Sequence, residues 1–408
     1  DNTGALATVT DSATGIKTTY YYDLIDRMVK YVESGTGLEH SVQYGYDTLN
    51  NLSLLTEIIN GITHTTSYTY DADNRVTQVT NSQTNQTNSS RSKHYTYDAY
   101  GRTSQIVTKN GSNTVLTSQM TFQALADGRP TTQISALRNT AAGYNVTLTY
   151  GYDNNGNITS VSDGTNTSSY VYDSANQLIR ENNQTAGKTW VWSYDNAGNI
   201  LSRTEYAYTT GELGDPVDTV LYTYGDADWG DLLTGYDGNT ITYDGIGNPL
   251  SDGTWTYTWQ NGRELASMSN GTTTWSFTYD ANGMRKTRSN GTDTYTYIYN
   301  GSQLVQMQKG TDILYFDHAT NTVTWNGTTY YYVHNLQGDV VAILNSGGTA
   351  VVTYSYDSWG NLLSVGGTMA STLGTLNPLT YRGYTYDRET GLYYVSSRYY
   401  DPEIGRWI

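Results

Sequence analysis

Asn377-Pro-Leu-Thr-Tyr-Arg-Gly-Tyr-Thr-Tyr-Asp-Arg-Glu-Thr-Gly-Leu-Tyr-Tyr-Val-Ser-Ser-Arg-Tyr-Tyr-Asp-Pro-Glu-Ile-Gly-Arg-Trp-Ile408 contains the pattern that decides the fold. Tyr384-Thr-Tyr386-Asp387 places aromatics at i and i+2, which share one face of a strand because side chains alternate. The aspartate then starts a turn, where its carboxylate accepts a backbone N–H two residues on. Gly391 follows, and a second tyrosine pair runs through Tyr400-Asp401-Pro402 to Gly405-Arg406.

Working outward, the same signature recurs along the chain. The clearest copies are Tyr20-Tyr-Tyr22-Asp23, Tyr44-Gly-Tyr46-Asp47, Tyr68-Thr-Tyr70-Asp71, Tyr95-Thr-Tyr97-Asp98, Tyr150-Gly-Tyr152-Asp153 and Tyr170-Val-Tyr172-Asp173. Trp192-Ser-Tyr194-Asp195, Phe277-Thr-Tyr279-Asp280 and Tyr354-Ser-Tyr356-Asp357 complete the series. Where copies adjoin, successive aspartates lie about 20–27 residues apart, the span of one supersecondary unit. In many copies a glycine three residues after the Asp supplies a left-handed turn position, and a polar residue then an aliphatic one open the return strand, as in Gly156-Asn157-Ile158. Each unit is therefore a β-hairpin. One hairpin is marginal alone, so neighbours must pair edge to edge. The expected fold is all-β: repeated antiparallel hairpins forming one long spiralling sheet.

Composition agrees. The chain has 41 Tyr, 41 Gly, 5 Pro, 3 Phe and no Cys, a strand-and-turn vocabulary in which tyrosine has displaced phenylalanine. Net charge is −16, and the arginines are spread at repeat positions rather than clustered, which argues against a nucleic-acid partner. No apolar run reaches the roughly 18 residues of a membrane span. The five histidines are scattered, with no metal-ligand spacing. Neither a nucleophile elbow nor a phosphate loop occurs. The expectation is no catalytic, metal or cofactor residue in this segment. An aspartate recurring at the same turn position reads as structural, and Trp229 and Trp359, in turns, are the candidates for ligand contact.

The final stretch, with Arg382, Gly383, Gly391, Arg398, Tyr400, Asp401, Pro402, Gly405 and Arg406, resembles the core segment of the Rhs/YD-repeat family. That family includes bacterial polymorphic toxins, wall-associated proteins, Tc toxin cocoon subunits and teneurins. The resemblance implies a hollow shell that encloses a C-terminal toxin or effector, in a secreted or cell-surface bacterial protein. On it we divide the chain into a hairpin array over 1–329 and core-associated terminal repeats over 330–408. It also implies a self-cleaving segment beyond the Gly405-Arg406-Trp407-Ile408 motif, so this segment is read as no enzyme. Two other readings are an adhesion module binding surface glycan or protein, and an autoproteolytic aspartyl protease. Asp1-Asn2-Thr3-Gly4-Ala5-Leu6 aligns with Asp153-Asn-Asn-Gly-Asn-Ile158. The chain therefore reads as an internal piece of a longer one, an incomplete shell whose open sheet edges would favour self-association.

Overall fold

The computed structural model describes residues 4–12, 14–35, 37–84 and 90–408. Asp1-Asn2-Thr3, on which the alignment with later repeats depends, and the middle of the Ser/Asn/Thr-rich stretch at 81–92 lie outside them. Among the described residues, helix is confined to Leu373–Leu376 and a short 3-10 turn at Tyr381–Gly383. No helix there is long and apolar enough to cross a membrane.

The strands pair antiparallel with their sequence neighbours in three ladders. The first has 20 strands, from Thr8–Thr10 to Asn239–Thr240. The second has 14, from Thr242–Tyr243 to Leu362–Gly366, and the terminal one has four, from Thr385–Asp387 to Arg406–Trp407. The sheet is thus a hairpin array with two interruptions, and no ladder closes into a barrel.

The curl has a repeated local cause. A register shift falls between the residue before the repeat tyrosine and that tyrosine, as at Tyr21/Tyr22, Gly45/Tyr46, Thr69/Tyr70, Thr96/Tyr97, Thr278/Tyr279 and Ser355/Tyr356. A bulge bends its strand and increases local twist, so one per hairpin at a fixed position adds up to a coil.

The coil nests. The outer face of the second ladder lies against the first: Ile298 and Tyr315 pack with Ile59, and Tyr331, Val333, Ala342 and Leu344 pack with Val115 and Leu116. Tyr31 and Tyr44 both donate to Asn300 Oδ1, at 3.3 and 3.2 Å. Gly143 bridges Thr349 directly. The opposite face of the same strands carries Tyr297, Tyr299, Leu314, Phe316, Tyr330, Tyr332 and Ile343, which pack with Leu373, Leu379, Leu392, Tyr394 and Tyr399 of the terminal segment. Consecutive residues therefore face two different cores, which explains the unbroken apolar runs Tyr330–Val333 and Val340–Leu344. The strand Thr274–Tyr279, with one face in water, instead alternates buried Trp275, Phe277 and Tyr279 with exposed Thr274, Ser276 and Thr278.

Candidate functional site: the repeat clip and the terminal plug

The repeat turn is a hydrogen-bonded clasp. Asp71 Oδ1 accepts the N–H groups of Asp73 (2.9 Å) and Arg75 (3.0 Å), while Oδ2 accepts Arg75 Nε at 2.8 Å. Asp23 and Asp98 make the same set with Arg27 and Arg102. Asp47, Asp153, Asp195 and Asp357 make it with Asn51, Asn157, Asn199 and Asn361. Asp173 and Asp280 keep the two backbone bonds. The clasp holds the carboxyls of Asp71, Asp98, Asp153 and Asp195 below the usual carboxylate range, chiefly through the side-chain bond from the residue four on. The left-handed residue three after the Asp is not always glycine: Asp26, Asn50, Asn74 and Asn176 fill it with φ of 60–66°.

Each clasp is clipped to the next hairpin by the tyrosine that precedes the next Asp. Tyr46, Tyr70, Tyr97, Tyr172 and Tyr194 donate to the carbonyls of Met28, Leu52, Val76, Ile158 and Leu178, at 2.7–3.2 Å. In each case the acceptor is the fifth residue after the previous repeat's Asp. Tyr22 donates to Leu6 and Tyr152 to Ile134, and Tyr279 and Tyr356 reach Leu265 and Val340 in the same way. Arg27 and Arg75 lie over the rings of Tyr46 and Tyr97 at 4.4 and 4.6 Å. The hydroxyl is therefore in use at this position, and a phenylalanine would leave a carbonyl without its donor. The earlier aromatic of the pair is free to vary, as Trp192 and Phe277 show, and Tyr20, Tyr44, Tyr68, Tyr95, Tyr150 and Tyr170 occupy it elsewhere. The signal for this clip was the excess of Tyr over Phe, which the sequence reading noted without assigning a cause.

Asp387 requires a correction. It was read as a turn cap, but its carboxylate leaves the turn and grips Arg285, with Nη2 2.8 Å from Oδ1 and Nη1 on Oδ2. Both side chains are essentially fully buried. The reason is visible in spacing. Gly391 stands four residues after Asp387, not three, and its N–H bonds to the Asp387 carbonyl at 2.9 Å, which closes a wider turn. Asp401 and Gly405 repeat the wider form.

Around Asp387 the terminal segment is nailed to the second ladder. The Arg285 guanidinium sits over Tyr394 and Tyr297 at 4.5 and 4.7 Å. Arg288 donates to Glu389 at 2.7 Å and lies 4.0 Å over Tyr295, whose hydroxyl donates to the same carboxylate at 2.6 Å. Tyr279 and Tyr399 share a hydroxyl bond of 2.8 Å. Arg285, Arg288 and Glu389 were missed by sequence reasoning. The signal was present: Arg285 occupies the position, five after Asp280, that other repeats fill with Leu52, Ile158 or Ile200.

The remaining core-segment residues reach the first ladder and the turns beside it. Arg406 donates to Tyr224 Oη (2.7 Å) and Asn199 Oδ1 (3.3 Å). The Pro402 carbonyl accepts from Asn361 at 2.9 Å, and Tyr400 donates to the Trp359 carbonyl at 2.8 Å. Gly405 is needed for a second reason besides its φ of 72°: a Cβ there would meet the Trp359 ring at 2.8 Å. Arg398 lies over Trp407 at 4.3 Å. Arg382 (φ 52°) and Gly383 (φ 69°) form a left-handed corner whose Arg382 N–H bonds Asp339 at 2.9 Å. Tyr384 and Tyr386 both pack on Tyr393. Burial pushes Asp401 up to about 7, with Glu403 and Asp252 adding to it. Trp229 is exposed, whereas Trp359 is wedged beside Trp192. No cluster of His, Asp and Glu able to hold a metal occurs among the described residues.

The teneurin YD-shell family model matches residues 81–247 and 308–408. The chain is 33% identical over 193 residues to the tRNA3(Ser)-specific nuclease WapA of Bacillus spizizenii, and 32% identical over 193 residues to the tRNA nuclease WapA of Bacillus subtilis. Each match covers 43% of this chain and 8% of the relative. Escherichia coli YibJ is 42% identical over 78 residues, covering 18% of this chain and 29% of that protein. The Photorhabdus luminescens Tc holotoxin pore contains a chain that superposes on all of this one with a TM-score of 0.69, at 16% identity and over 25% of its own length. A TcdB2–TccC3 complex with Cdc42 superposes with a TM-score of 0.54, covering 26% of that chain.

Proposed function

The chain belongs to the teneurin YD-shell family, and from that premise we propose that it is a length of shell wall from an exported or cell-surface bacterial toxin. Its role is to enclose a C-terminal toxin or effector, and it acts as a scaffold rather than as a catalyst. The observation that carries this reading is the order of the layers: one face of the second ladder packs on the first, and Leu373, Leu379, Leu392, Tyr394 and Tyr399 of the terminal segment pack on its opposite face. Ile408 packs against that same core, so a polypeptide continuing from it starts on the side of the second ladder that the terminal segment covers. The toxin relatives support the identity of the cargo class, and the scattered positions of the arginines argue against nucleic acid as a partner of the wall itself.

Protease challenge of the full-length parent tests this. The region after Ile408 should resist digestion in the wild type and become sensitive when Arg285→Ala loosens the terminal segment. Equal sensitivity of that region in both proteins would overturn the reading.

A further inference from the structure

One buried histidine stands between two carboxylates where the first ladder meets the second. His40 Nδ1 lies 2.8 Å from Glu33 Oε2 and its Nε2 lies 2.9 Å from Glu57 Oε1, and all three residues are buried. Only the protonated ring carries a hydrogen on both nitrogens. Glu57 passes the contact on, because its Oε2 accepts the Tyr315 hydroxyl of the second ladder at 3.2 Å. We propose that the first ladder is fastened to the rest of the chain through bound protons and lets go as pH rises above neutral, while the second ladder and the terminal segment stay together.

The surroundings of His40 offer the proton no substitute. Tyr31 meets its ring edge-on at 5.6 Å, and Tyr44 stands near Glu57. Lys286 stands near Glu33, with its ammonium 3.4 Å from Asp280. His64, held down to about 3 by burial and by Arg91, stacks on the Tyr315 ring at 3.5 Å. A neutral His40 would donate to one carboxylate only, and the other would lose its donor in a buried site. Burial lowers the His40 value, but Glu33 and Glu57 outweigh it and hold it above the usual 6.5.

Two more contacts of the first ladder follow the same rule. Glu181 accepts the Ser358 N–H of the second ladder at 3.1 Å and the Asn183 amide at 3.0 Å. The ionisable groups beside it are Tyr170, Tyr172 and Asp357, and burial, then Asp357, pushes it up to about 7. The turn after Asp401 meets the first ladder where the Ile404 and Glu403 carbonyls accept from Tyr222 and Tyr236, at 3.2 and 3.3 Å. Arg203 donates to the same Glu403 carbonyl at 3.0 Å. Burial, with Glu403 and Asp252 adding to it, pushes Asp401 up to about 7.

All three groups hold their proton more tightly in the folded chain. The stability they give is present in full below 6.5 for His40, 4.5 for Glu181 and 3.8 for Asp401. It is lost as pH rises through about 7 for the two carboxyls, and through a value above 6.5 for His40. Lys93, which burial pushes down to about 8, acts in the opposite sense from that value upward. The joint between the second ladder and the terminal segment rests instead on Arg285 and Arg288, which stay charged throughout.

The chain has no cysteine, so single introduced cysteines report opening through their rate of thiol labelling. Val305→Cys and Val333→Cys lie where the second ladder packs on the first, and Val323→Cys lies in the core shared with the terminal segment. Each rate is divided by that of the exposed Thr274→Cys at the same pH, which removes the titration of the thiol itself. From about pH 6 to about pH 8, labelling at Val305→Cys and Val333→Cys should quicken about tenfold, while Val323→Cys stays protected. Adding Glu33→Gln, whose amide can donate to a neutral His40, together with Glu181→Gln should remove most of that quickening. Equal rates at the two pH values, equal quickening at Val323→Cys, or quickening untouched by the double substitution would overturn the proposal.

Discussion

The first and second ladders are built from the same hairpin and differ in what covers them. Strands of the first ladder such as Asp218–Thr223 bury one face, at Val220 and Tyr222, and leave the other, at Thr219, Leu221 and Thr223, to water. The middle strands of the second are covered on both sides, and alternation disappears: Val340, Ala342, Ile343 and Leu344 are all buried. The lesson is that the tyrosine-aspartate clasp specifies a hairpin and its curl, whereas the residues between clasps specify which layer of the coil that hairpin occupies.

The sharpest way to break the comparison is at the buried Arg285–Asp387 pair, which joins the second ladder to the terminal segment. Arg285→Ala leaves the buried Asp387 carboxylate with the Arg288 guanidinium alone, its Nε 3.5 Å from Oδ1, and should lower stability by about 3 kcal/mol. Replacing both partners by apolar residues, Arg285→Met with Asp387→Leu, should recover most of the loss. Denaturant melts of the two variants check this, and equal losses would mean that the pair holds the segment through shape rather than charge compensation.

Next in size is a pH effect at the junction of the layers. Glu181 is fully buried, and burial, with Asp357 nearby, pushes it up to about 7 from an ordinary value of 4.5. The folded chain thus holds this proton more tightly than the unfolded one. The corresponding stability is present in full below pH 4.5 and is lost as pH rises through about 7. Glu181→Gln should therefore gain on the wild type by about 3 kcal/mol between those limits. The other shifted groups, including His64, which burial pushes down to about 3, are common to both proteins and cancel in the difference.

Two smaller effects sharpen the account of the clip and of the wide turn. Tyr194→Phe removes one donor from the Leu178 carbonyl and should cost about 1 kcal/mol, while an apolar exchange at the preceding aromatic, Phe277→Leu, acts through packing alone. Gly391→Ala forces an alanine to the left-handed φ with open space around it, at about 1–2 kcal/mol. Gly405→Ala adds the Trp359 clash and should cost more. Thermal melts order the pair.

Much of this was legible in advance. The hairpin unit, the Asp turn and the left-handed position follow from Tyr-x-Tyr-Asp and its glycine, because each depends on residues close in sequence. The Arg285–Asp387 pair was not legible from pattern, since its partners lie 102 positions apart and nothing local joins them. Two departures from the repeat marked it nonetheless: an arginine where the return strand has an aliphatic residue, and a glycine four rather than three residues after an aspartate. The division into three ladders was legible in part: the second interruption follows Gly366, where Gly366–Leu376 departs from the strand pattern and carries the short helix, whereas the first, at Ile241, falls within the repeats.

The central claim is that the terminal segment covers the inner face of the second ladder, and native-state amide exchange on the intact chain tests it most directly. The account predicts that amides in Leu392–Val395 and Arg398–Asp401 are protected as strongly as those in Val340–Leu344, and that Arg285→Ala releases the first two together with the buried positions of Thr274–Tyr279. Exchange of Leu392–Val395 in the wild type as fast as that of the exposed turn at Leu24-Ile25 would contradict it.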